Sequence, residues 1–186
     1  MPNLAASSLP QDLIDHLRRV RLLALDVDGV MTDGRLYFQA DGVETKAFNT
    51  LDGHGLKLAK RAGIEVALIT GRESPMVTQR AKALGIVHVY QGVEKKLPQL
   101  KTLCERLGID LAQVAYCGDD LPDLPCICAS GVGITVPGAP SYLREHAQWV
   151  TDAGGGQGAV REICDQLLMA QGHWGSVLDT YLHGGR

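Results

Sequence analysis

Apolar residues alternate along this chain between two rhythms. Predominantly apolar runs at residues 22–25, 64–70, 87–90, 114–117, 132–136 and 149–150 are bounded by polar or glycine-rich segments, and they read as strands, the first two buried in the sheet. Between them the apolar positions recur at helical spacing, so helices are expected over 11–20, 56–62, 75–84, 95–107, 121–129, 141–146 and 159–170. Two short runs, 35–39 and 44–48, are separated by Ala40, Asp41 and Gly42, which is the pattern of a hairpin. The polar, glycine-containing segments 49–55 and 154–158 read as loops, residues 1–10 as a loose start and 171–186 as a flexible tail. Strand and helix alternate over almost the whole length, and that order predicts an α/β fold: a Rossmann-like parallel sheet with helices on both faces, in a single domain spanning residues 1–186.

In sheets of this kind ligands gather where the strands end. The first strand stops at Asp26 and Asp28 with Gly29 directly after, the second at Thr70 and the fourth at Gly118, Asp119 and Asp120. Lys95 and Lys96 open a helix that should start on the same edge. Carboxylates, one hydroxyl and one lysine at a common edge suit a hard cation together with a phosphoryl group. Mg2+ takes oxygen ligands, and Asp26 and Asp119 are the natural donors. Lys96 and Thr70 can then hold the non-bridging phosphoryl oxygens.

Composition narrows the field without changing this picture. With 186 residues, 45% hydrophobic and 21% charged, the chain can bury a full core, and its formal charge of -3 gives no reason to expect nucleic acid or an anionic membrane as partner. The N-terminal stretch lacks a basic start followed by a long apolar run, so a cytoplasmic location is expected. The 5 cysteines are scattered without zinc-site spacing and read as reduced, mostly buried thiols.

Asp26-Val27-Asp28-Gly29, Thr70 within ITGR, Lys96, and Gly118-Asp119-Asp120-Leu121-Pro122-Asp123 resemble, in order, the motifs of the haloacid dehalogenase superfamily of phosphatases. The resemblance implies that Asp26 attacks phosphorus to give an aspartyl phosphate. It implies that Asp28 first protonates the leaving alcohol and then deprotonates the hydrolytic water. Mg2+ would be held by the Asp26 side chain, the Asp28 main-chain carbonyl and Asp119, with Asp120 and Asp123 orienting the metal waters.

The stretches KAFNTLDGHG, YQGVEKKL, VAYCGDDLPDLP and GGGQGAVREICDQLLMAQG are further similar to the 3-deoxy-D-manno-octulosonate 8-phosphate phosphatase family, whose product is the eight-carbon acid sugar of lipopolysaccharide. Substrate-binding positions of that family fall on Asp28, Asn49, Thr50, Leu51, Asp52, Gly53, Lys57, Arg72, Arg80 and Lys96; Leu51 and Lys57 stand where some members carry arginine. The family is similar in forming homotetramers. Because neither gap between the motifs holds a cap domain, a neighbouring subunit is expected to cover the site, with the 35–48 hairpin packed between subunits. Three other readings stay open at this stage: a phosphatase for a nine-carbon sugar acid 9-phosphate, a receiver-like signalling domain, and a catalytically silent module.

Overall fold

A computed structural model describes residues 9–184. The element order is α1 (Gln11–Leu17), β1 (Leu22–Leu25), β2 (Tyr37–Phe38), β3 (Glu44–Thr45), α2 (Thr50–Arg61), β4 (Glu65–Ile69), α3 (Pro75–Leu84), β5 (His88–Tyr90), α4 (Lys96–Leu107), β6 (Val114–Cys117), α5 (Leu124–Ala129), β7 (Val132–Thr135), α6 (Ser141–His146), β8 (Trp149–Val150), α7 (Ala159–Ala170) and α8 (Trp174–Leu182). Short 3-10 turns occupy Leu111–Gln113 and Leu121–Asp123.

Six strands form one parallel sheet in the order β5-β4-β1-β6-β7-β8. From β1 the chain winds outward through β4 to β5, crosses back, and winds the other way from β6 to β8. The reversal lies between β1 and β6, where Leu25 pairs with Cys117 in register. Crevices at such reversal points face the carboxyl ends of the strands. Every residue of β1, β6 and β7 is buried, as expected of mainly apolar strands whose two faces are both covered by helices. Helices α2 and α3 pack together, as do α4, α5 and α6, the grouping that right-handed crossovers give on the two faces of such a sheet; α7 returns to pack on α2 and α1. The inner stripe of α7, Ala159, Val160, Ile163, Cys164, Leu167 and Leu168, is buried at helical spacing. The hairpin β2–β3 stands apart as a separate antiparallel pair, with Leu36, Tyr37, Phe38 and Val43 exposed.

The structure departs from the sequence reading in three places. Residues 49–55, expected as a loop, open helix α2: Asn49 caps it by accepting from Leu51 N at 2.8 Å, and the helix runs from Thr50. Its glycines suggested a loop because they lower helix propensity, but here they admit neighbours. A Cβ on Gly53 would meet the Arg80 guanidinium at 2.2 Å, and one on Gly55 would press on Arg161 and Cys164 of α7. Residues 154–158, also expected to be a flexible connection, are fastened: Gly156 N donates to Val30 O at 2.9 Å, and Asn49 Nδ2 donates to Gly156 O at 3.3 Å. Within the expected tail, α8 forms and lies against α7, and Tyr181 Oη lies 3.1 Å from His54 Nε2 of α2. Most of the segment expected to be loose at the start, residues 1–8, and the last two residues of the tail lie outside the described residues.

Candidate active site

Strand β1 ends by handing Asp26 to the crevice, its backbone N bonded to Cys117 O at 2.9 Å so that the pairing with β6 continues through the aspartate. The Asp26 carboxylate is buried; Oδ1 accepts from Val27 N at 2.7 Å and Oδ2 lies 3.0 Å from Lys96 Nζ. Lys96, at the first turn of α4, is equally buried and donates to Asp123 Oδ1 at 2.7 Å. Tyr116 Oη donates to the same oxygen at 2.6 Å, while Asp123 Oδ2 accepts from Asp119 N at 3.2 Å and from Asp120 N at 3.3 Å. Both oxygens of Asp123 are thus engaged. Its role is to fold the loop after β6 so that Asp119 is presented beside Asp26.

That approach is possible only because residue 29 is glycine. Gly29 sits at φ +92°, and a Cβ there would fall 1.9 Å from Asp119 Oδ2. The loop Gly29–Asp33 is backed in turn by Gly155, where a Cβ would meet Gly29 O at 1.7 Å.

Asp26, Asp119 and Asp123 each offer an oxygen within 4.8 Å of the others. Burial, then the charge of Asp123, pushes the Asp26 carboxyl up to about 7 against the opposing pull of Lys96. The same two causes take Asp119 to about 7. Burial alone would push the Lys96 ammonium down, but Asp26 and Asp123 outweigh it and hold it above its ordinary value. A cluster of oxygen donors with more negative charge than one lysine cancels is what a hard divalent cation requires, so the residues present fit Mg2+.

Thr70, directly after β4, is buried and is held by its backbone N to Tyr90 O at 2.9 Å. Asp120 is exposed; its Oδ1 caps the following turn at Leu121 N, 2.7 Å away, and accepts from Tyr142 Oη at 3.2 Å. Asp28 meets the hairpin: its Oδ1 is paired with Lys46, and its Oδ2 lies 3.8 Å from Arg72 Nε.

The remaining predicted residues gather on α2 and α3. Thr50, Gly53, Lys57 and Arg80 line, with His54 and Leu84, a hollow of about 240 Å³ whose lining includes none of the aspartates. Arg80 lies 5.8 Å from the Phe48 ring and donates to Asn49 O at 2.9 Å, so it also ties α3 to the start of α2. Leu51 is exposed. Asp52 is buried and its Oδ1 accepts from Arg161 N at 2.8 Å; it anchors the first turn of α7, and the structure does not bring its carboxylate to the crevice.

A model of the haloacid dehalogenase-like hydrolases matches residues 37–131. The chain is 48% identical over 161 residues to 3-deoxy-D-manno-octulosonate 8-phosphate phosphatase KdsC of Escherichia coli, covering 87% of this chain and 86% of that protein. The chain belongs to the 3-deoxy-D-manno-octulosonate 8-phosphate phosphatase family. Among solved structures of this phosphatase family, the enzyme of Moraxella catarrhalis, described in complex with magnesium, phosphate and 3-deoxy-D-manno-octulosonate, superposes with a TM-score of 0.91 at 43% identity, covering 93% of this chain and 99% of that one. A probable YrbI family phosphatase from Pseudomonas syringae matches with a TM-score of 0.91 at 50% identity, covering 93% of this chain and 98% of that one.

Three side chains beside the candidate site escaped the sequence reading: Tyr116, Glu44 and Lys46. Tyr116 looked like one more apolar strand residue, and nothing local marks its hydroxyl as the partner of Asp123. Glu44 and Lys46 did carry a signal: they are two apart on an extended run and therefore share a face, an acid and a base together at the base of a hairpin.

Proposed function

We propose that this chain hydrolyses 3-deoxy-D-manno-octulosonate 8-phosphate to the free sugar acid and phosphate, with Mg2+, in the supply of the acid sugar for lipopolysaccharide. The observation that carries the reading is the pairing of Asp26 with Lys96 and Asp119 at the sheet reversal, in a chain whose relatives act on that phosphate ester. Asp26 Oδ attacks phosphorus; the bond from phosphorus to the sugar oxygen breaks, and Asp28 gives that oxygen its proton. Water then attacks the aspartyl phosphate, Asp28 takes the proton, and Asp26 is released with phosphate. Lys96 holds Asp26 in line and puts its charge beside the phosphoryl oxygens, with the Thr70 hydroxyl as a second donor. Asp26, Asp119 and the Asp28 main-chain carbonyl would hold Mg2+, which would supply the positive charge that lets a carboxylate approach a phosphate dianion. Asp123 keeps the Asp119 loop folded, and Asp120 steadies the turn that follows.

Arg72, on the open side of Asp28, supplies a guanidinium for the carboxylate end of the substrate, with Arg80, Lys57 and the capped start of α2 at Asn49, Thr50 and Gly53 as further contacts. Exposed Leu36, Tyr37, Phe38 and Val43 on the hairpin support a homotetramer in which a neighbouring subunit shelters the site. No helix among the described residues is long and apolar enough to cross a membrane, which accords with a cytoplasmic enzyme.

Steady-state phosphate release in Mg2+ from the eight-carbon ester, a nine-carbon sugar acid 9-phosphate and a hexose phosphate tests the assignment. The expected result is a kcat/KM for the eight-carbon ester at least about 10-fold above the other two, the scale that one well-placed pocket contact can set. Preference for the nine-carbon ester would overturn it.

A further inference from the structure

The acid/base aspartate is one of four alternating charges. Lys46 Nζ is paired with Asp28 Oδ1 and lies 3.0 Å from Glu44 Oε1; Arg72 reaches Glu44 Oε2 at 2.7 Å and lies 3.8 Å from Asp28 Oδ2. The ring Lys46, Asp28, Arg72, Glu44 closes on itself and is net neutral, so each carboxylate oxygen of Asp28 faces a different cation. The two cations are not equivalent. The Lys46 side chain is 2% exposed and that of Arg72 is 44% exposed. An enclosed ammonium between two carboxylates has no free direction in which to meet a substrate, whereas the open guanidinium can leave Glu44 for an incoming anion.

We infer that Lys46, held by Glu44, is a positioning residue for Asp28: the hairpin carries it into the site so that the acid/base carboxylate keeps its orientation when Arg72 turns to the substrate. The inference rests on the reading of Asp28 as acid and base. It gives β2–β3 a part in the chemistry within its own subunit, separate from any packing between subunits. The physical reason is directional. Asp28 follows the last residue of β1 by three positions and precedes a glycine, so its side chain needs an external partner, and a buried charged contact fixes a rotamer far better than a solvated one.

The test separates positioning from folding by leaving-group dependence. A sugar alkoxide needs a proton to depart; a p-nitrophenolate does not. The Mg2+-loaded full chain carrying Lys46→Met, Glu44→Gln or Asp28→Asn is compared with wild type in single-turnover release of the alcohol from the sugar acid phosphate and of p-nitrophenol from its phosphate ester. Lys46→Met is expected to slow sugar release by about 10²-fold, the lower end of what a placed acid contributes, and p-nitrophenol release much less. Glu44→Gln, which keeps Lys46 but loosens it, shows the same split at smaller size, and carries the test if Lys46→Met does not fold. Equal losses on both esters, no loss on either, or a change in KM alone would overturn the inference. Asp28→Asn distinguishes the two levels: if it shows the split and the other variants do not, the role of Lys46 fails, and if it shows none, the acid/base reading fails and takes the inference with it.

Discussion

Asp26 and Asp119 hold their protons well above the ordinary carboxylate range, to about 7, because Asp26 is buried and Asp119 half-buried, each beside Asp123. The consequence for stability has a definite sign. Between about pH 4 and about pH 7 the folded, metal-free protein binds more protons at these groups than the unfolded chain, so its stability falls as pH rises through that window and levels off above it. Mg2+ binds the deprotonated pair, so its affinity rises over the same window and each ion bound at low pH releases protons. We therefore expect the Mg2+-induced increase in Tm to be small near pH 5.5 and to grow to a plateau above about pH 7.5. A shift that shrinks as pH rises would contradict the site. Single residues were legible where they end apolar runs, as Asp26, Thr70 and Asp119 do. They were hidden where the partner comes from a distant element: Tyr116 lies within a buried strand, and Lys46 reaches Asp28 across 18 residues of chain.

At the scale of elements, the sheet and most helices followed from periodicity, since strands buried on both faces and helices with one apolar stripe leave plain patterns. The exceptions concern glycine. In α2 and in residues 154–158 glycine marks a close approach of neighbours, a pattern that local propensity reads as a break. A connection that merely links β8 to α7 would tolerate a side chain; one that backs the Gly29–Asp33 loop would not. Gly155→Ala places a methyl group against the Gly29 and Thr32 carbonyl oxygens, and we expect a loss of about 1–3 kcal/mol in urea unfolding together with a fall in kcat. Unchanged stability and turnover would show the segment to be a passive linker. The Asp52 carboxylate belongs to the same brace, tying α2 to the first turn of α7.

Over the whole molecule, the crevice lies where the sheet reverses, the described residues between the strands that line it form a hairpin and single helices and no cap domain, and the hairpin exposes Leu36, Tyr37, Phe38 and Val43. Phe38→Ser with Val43→Ser removes apolar surface exposed on the hairpin; sedimentation velocity is expected to show a smaller assembly than wild type, with reduced turnover of the sugar acid phosphate. A wild-type enzyme that sediments as a fully active monomer would contradict the proposed cover. We propose Asp26 as the nucleophile of this Mg2+-dependent phosphatase for 3-deoxy-D-manno-octulosonate 8-phosphate. The most direct test is phosphate release from that ester by wild type and Asp26→Asn, each with Mg2+ and with chelator. Wild type with Mg2+ should turn over, and Asp26→Asn should fall by about 10⁴-fold or more while keeping its fold. Comparable turnover by the variant, or by wild type in chelator, would contradict the account.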